Sequence, residues 1–130
     1  MKFMCCYDGS DACNEALKLA REWAKRFSAD LHVVASRGDP GGSAEPGLSG
    51  IKSELQKEGA RWVETVPSDD ETAGENLVGY AEREGVDAMF IGVRQVSKVG
   101  KLLFGSTAQY VILSAPCPVI SVKGGTAAGK

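Results

Sequence analysis

The chain has 130 residues, of which 43% are hydrophobic and 25% charged, with a formal net charge of −2. This is the make-up of a single soluble domain that can bury a core without disulfides, and its mild acidity argues against nucleic acid as the main partner. No apolar run approaches the ~18 residues of a membrane span. Asp8 and Gly9 interrupt the opening Met1-Lys-Phe-Met-Cys-Cys6 too early for a signal peptide, so a cytoplasmic protein is expected.

Lys2 to Tyr7 reads as the first strand, and Asp8-Gly-Ser10 as a turn in which Ser10 or Asp11 caps the next helix. That helix runs to about Phe27, with Ala16, Ala20, Trp23 and Phe27 recurring at helical spacing beside Leu17 and Ala24 to form the packing face. Asp30 to Ser36 is a strand by its Val-Val core. The stretch from Arg37 to Gly50, dominated by Gly, Pro and Ser, reads as a mobile loop. A short helix follows over Ile51 to Glu58, and a third strand over Arg61 to Val66. Thr72-x-x-Glu75 is a capping box opening a helix whose inner stripe is Ala73, Leu77 and Ala81, and Gly85 ends it. Asp87 to Gly92 is a fourth strand, and Ser106 to Leu113 a helix capped by the Ser106 hydroxyl. Pro116 and Pro118 then admit a last strand, Val119 to Lys123, before a tail over 124–130 that has nothing to bury and is expected to be disordered.

Strands alternating with helices imply a three-layer α/β domain: an open sheet of five mainly parallel strands, about four helices and right-handed crossovers. Ligands of such sheets bind at the carboxyl ends of the strands, where Asp8 and Gly92 both fall. The loop from Gly92 to Ser106 supplies glycines, hydroxyls and cations ahead of a helix, where free backbone N–H groups and the positive end of the helix dipole favour an anion. Five cations and no acid follow Asp87, and Arg94, Lys98 and Lys101 lie within this loop.

Other chemistries find less support. Cys5, Cys6, Cys13 and Cys117 have neither CxxC spacing nor a nearby histidine, so they are read as small core residues, with at least one of Cys5 and Cys6 facing inward. His32, the only histidine, lies inside an apolar strand and is read as structural, which argues against a Ser-His-Asp site. Gly100-Lys101-Leu102 lacks the hydroxyl that a Walker loop places on Mg²⁺, and the loop offers no clear water-activating base. No clear flavin-stacking aromatic stands at a strand end.

Asp8-Gly-Ser10, the Gly92 to Ser106 loop and Ala115-Pro-Cys-Pro-Val119 together resemble the universal stress protein family over nearly the whole chain, as a single domain spanning 1–123. The family's glycine loop is Gly, two residues, Gly, nine residues, Gly, then Ser or Thr. Gly92, Gly105 and Ser106 match it, whereas Gln95 stands in place of the second glycine and Tyr7 is bulkier than the residues common there. The resemblance implies a Rossmann-like fold of the adenine-nucleotide alpha-hydrolase type. It also implies a site with Tyr7, Asp8 and main chain near Val34 at the nucleoside, and Gly92, Arg94, Gln95, Lys98, Lys101, Gly105, Ser106 and Thr107 around the phosphates. The implied ligand is ATP, ADP or AMP, with Mg²⁺ as a companion of ATP. The implied role is regulation in a stress response by binding rather than catalysis, in a homodimer paired through the last strands. The alternative is a dimeric interaction module of the same fold that binds a protein partner and no nucleotide.

Overall fold

A computed structural model describes residues 1–36, 48–93 and 105–124. Residues 125–130 of the tail expected over 124–130, most of the Gly-Pro-Ser stretch and the loop cations fall outside these residues. In chain order the elements are β1 (Lys2–Cys6), α1 (Asp11–Phe27), β2 (Asp30–Ser36), α2 (Leu48–Lys57), β3 (Arg61–Thr65), α3 (Ala73–Glu84), β4 (Ala88–Val93), α4 (Ser106–Ser114) and β5 (Val119–Lys123). The strands pair in the order β3-β2-β1-β4-β5, and every pairing is parallel. The chain therefore leaves β1 toward one face and β4 toward the other, which makes the join between these two neighbours the topological switch point.

Side chains alternate across the sheet, so both of its faces are cores. Phe3, Cys5, Leu31, Val33 and Phe90 pack against Ala16, Leu17 and Ala20 of α1 and Leu55 of α2. Met4, Cys6, Val34, Met89 and Ile91 pack against Leu77, Val78 and Ala81 of α3 and Ala108 and Val111 of α4. Adjacent Cys5 and Cys6 are thus both buried, on opposite faces, where one inward thiol was the minimum expected. Phe90 is fully buried, a transfer worth about 2–3 kcal/mol.

Local chemistry fixes the helix ends. Ser10 caps α1, its hydroxyl accepting from the Cys13 N–H at 3.2 Å, and Asp11 sits favourably in the first turn. Of the expected inner face, Trp23 reaches Phe90 edge-on with ring centroids 5.5 Å apart, but Phe27, in the last turn, is 57% exposed. Thr72 and Glu75 form both bonds of the capping box on α3, and Gly85 closes that helix at φ 65°. Gly74 replaces Ala73 on the inner stripe because α4 crosses there: a Cβ on Gly74 would stand 2.9 Å from that of Tyr110.

Candidate functional site

A crossover helix between parallel strands begins where the preceding strand ends, so the β1–α1 turn and the start of α4 both lie at the carboxyl edge of the sheet. Asp8 immediately follows β1, and its Oδ1 accepts the Ser10 N–H at 2.8 Å. Burial pushes its carboxyl up, yet hydrogen bonds from Ser10 and Cys13 outweigh this and hold it below the ordinary value of 3.8. Asp8 is therefore a fixed, exposed anion at neutral pH.

Tyr7 presents only its main chain to this edge. Its ring is buried on the α1 face beside Trp62, with centroids 5.9 Å apart, and its hydroxyl donates to Asn14 Oδ1 at 2.6 Å. The Tyr7 N–H in turn donates to the Val34 carbonyl at 3.0 Å. That carbonyl is thereby committed within the sheet, and the Val34 side chain is wholly buried. The next main-chain groups on the same edge of β2 belong to Ser36, two residues further on.

The two matched glycines have different surroundings. A Cβ on Gly92 would stand 2.4 Å from the carbonyl carbon of Ala12 and 2.6 Å from the Cys13 nitrogen, so its missing side chain admits the first turn of α1 rather than a ligand. Gly124 meets Ala12 in the same way, at 2.5 Å from its Cα. Gly105 differs, with none of the described residues within 4 Å of its Cβ direction and an unstrained φ of −69°. Gly105 rather than Ser106 is the N-cap of α4. Ser106 is already the first helical residue, and among the described residues no side chain caps the helix. The N-terminus of α4, with exposed Ser106 and half-buried Thr107, thus offers its dipole and N–H groups without a competing side-chain acceptor among the described residues. Arg94, Gln95, Lys98 and Lys101 lie outside the described residues.

A polar cluster that sequence reading passed over lies beside the crevice. The Thr65 hydroxyl donates to Asn76 Oδ1, and Asn76 Nδ2 donates to Glu71 Oε1 at 3.2 Å. Ser36 faces Thr65 in register. The available signal was alternation: Ser36 follows Val34 by two residues and so shares its face.

The remaining titratable candidates serve structure. His32 is buried and its Nδ1 lies 2.6 Å from the Tyr80 hydroxyl; burial, then Arg61 and Lys2, lower its pKa. Burial pushes the Cys13 thiol up to about 12 and raises those of Cys5, Cys6 and Cys117 as well. Among the described residues no group of three or more His, Cys, Asp or Glu is placed to hold a metal ion, and no helix is long and apolar enough to cross a membrane.

Comparison with known proteins agrees with this architecture. A universal stress protein of Thermus aquaticus is 32% identical over 129 residues, covering 90% of this chain and 94% of its own. A universal stress protein structure from Archaeoglobus fulgidus superposes with a TM-score of 0.72 at 31% identity, covering 95% of this chain and 98% of that one. A further structure from Archaeoglobus fulgidus, a universal stress protein in complex with dAMP, is 27% identical with a TM-score of 0.66 and covers 95% and 98%. The family model for universal stress proteins matches residues 1–123, and with these relatives and this fold the chain belongs to the universal stress protein family.

Proposed function

We propose that this protein binds an adenine nucleotide at the carboxyl edge of its sheet, the nucleoside against Asp8 and the end of β2, the phosphates at the start of α4. The observation that carries this reading is the opening of α4 on Gly105, which no described residue obstructs and no described side chain caps. A phosphate oxygen there meets helix N–H groups at the positive end of the dipole. The relative with bound dAMP, alike over nearly its whole length, supports an adenine nucleotide. ATP, ADP and AMP all suit the site. With ATP, Mg²⁺ neutralises phosphate charge beyond the reach of the helix, and Arg94, Lys98 and Lys101 of the glycine loop add cationic charge.

The described residues supply no activated nucleophile, since every shifted thiol is raised and the one histidine is committed to Tyr80. Binding, with occupancy as the signal, is accordingly the chemistry proposed. The setting is a cytoplasmic stress response, and the protein acts as a homodimer joined through β5. Calorimetric titration with ATP, ADP and AMP, with and without Mg²⁺, tests the reading. Micromolar binding that Gly105→Val abolishes in a folded protein supports it, and no heat at millimolar ligand refutes it.

A further inference from the structure

Ser36 closes β2 with its hydroxyl oxygen buried and without a hydrogen-bond partner among the described residues. Folded proteins pair the large majority of such atoms, because a buried hydroxyl loses its water on folding and must be repaid by another partner. Its neighbours on the β3 side are already committed. Thr65, beside it in register and roughly 4.8 Å away at strand spacing, gives its proton to Asn76. Asn76 gives one to Glu71, whose Oε1 also accepts the Ser68 N–H at 3.1 Å. On the β1 side the strand stops. The Tyr7 N–H makes the bond to Val34, and the chain then turns away at Asp8. Ser36 therefore borders the lane that β1 vacates, inside the crevice at the switch point.

The surroundings define what can fill that lane. Val34, two residues earlier on the same face, is wholly buried in an apolar cluster that also holds Val93. A group entering here is desolvated. The carboxylates of Asp8 on the β1 side and Glu71 beyond Thr65 repel an anion, so the occupant is neutral and carries its own hydrogen-bonding atoms. We infer that the Ser36 hydroxyl hydrogen-bonds the base of the bound nucleotide and is a specificity-determining contact of the site. This rests on the nucleotide reading above and adds to it a side chain, in register beside the Thr65–Asn76–Glu71 row.

Ser36→Ala is the test, with affinities for AMP, dAMP and adenosine measured by calorimetry beside the melting temperature of the unliganded protein. The affinity for all three ligands is expected to fall by the same factor, about tenfold. The unliganded variant should melt no lower than the parent, because the Ser36 hydroxyl makes no bond to the described residues. A Ser36→Ala protein that binds AMP as tightly as the parent overturns the inference and leaves the nucleotide reading intact. So does a loss that disappears with dAMP, which would place the contact on the sugar. A lowered melting temperature without ligand, at unchanged affinity, shows the hydroxyl to be structural and also overturns it. A parent protein that binds none of the three overturns the nucleotide reading itself and this inference with it.

Discussion

Gly92→Ala separates the structural glycine of the loop from the one proposed to meet ligand. The added methyl carbon would stand 2.4 Å from the carbonyl carbon of Ala12, 2.6 Å from its oxygen and 2.6 Å from the nitrogen of Cys13. Carbon atoms in contact rest about 3.5–4.0 Å apart, so the first turn of α1 has to retreat by roughly 1 Å. Every obstructing atom is backbone, and no rotamer change relieves the clash. The cost then falls at the upper end of overpacking, about 3 kcal/mol. At about 4 °C per kcal/mol for a chain of this size, the melting temperature falls by roughly 12 °C. Gly105→Ala is the matched control: its methyl meets no described residue within 4 Å and its φ of −69° suits alanine, so it melts close to the parent. Thermal melts followed by far-ultraviolet circular dichroism measure both. A Gly92→Ala protein that melts within about 2 °C of the parent would refute the packing account of this glycine.

Four further outcomes are expected. Thr72→Ala removes the capping box of α3 and should lower stability by about 1 kcal/mol in urea denaturation, with an unchanged m-value. Thr65→Val preserves shape but leaves Asn76 Oδ1 buried without its donor, and should cost about 1–2 kcal/mol in the same assay. His32 has a lowered folded pKa, so the unfolded chain binds its proton more readily; this contribution to stability is complete above the unfolded value of about 6.5 and is lost as pH falls toward the folded one. Urea midpoints should therefore drop from pH 7.5 to 5 in the parent more steeply than in His32→Gln, and parallel slopes would refute the assignment. Finally, a chromogenic thiol reagent should label half-buried Cys117 well before the buried Cys5, Cys6 and Cys13, with all four reacting in denaturant; equal rates in the native protein would contradict the burial.

Helices and strands were legible wherever the chain carries its own punctuation. Ser10, Thr72 with Glu75, and Gly85 each mark a terminus by side-chain chemistry that acts within a few residues, and α1 and α3 begin and end accordingly. Helix α4 starts at Ser106 as its sequence predicts, but the cap is Gly105: Ser106 has the right chemistry for a cap yet sits already inside the helix. The site was legible in part. Asp8 and Gly105 fall where spacing and family resemblance put them, at the carboxyl edge. The close approach of α1 to Gly92 depends on how a helix packs across two strands, which no local pattern reveals. The Ser36–Thr65–Asn76 row depends on the register of β2 with β3, and its members are about thirty and ten residues apart in sequence, beyond the reach of periodicity.

The contact of Gly124 with Ala12 has a practical side. Because all five strands run the same way, Met1 enters the sheet at the edge remote from the crevice, whereas the chain emerges from β5 over the first turn of α1, beside the opening. Affinity tags, fluorophores or fusion partners placed before Met1 stand a full strand length from the proposed ligand. At the other end of the described chain Gly124 already lies near its doorway, so binding measurements belong on amino-terminally tagged protein.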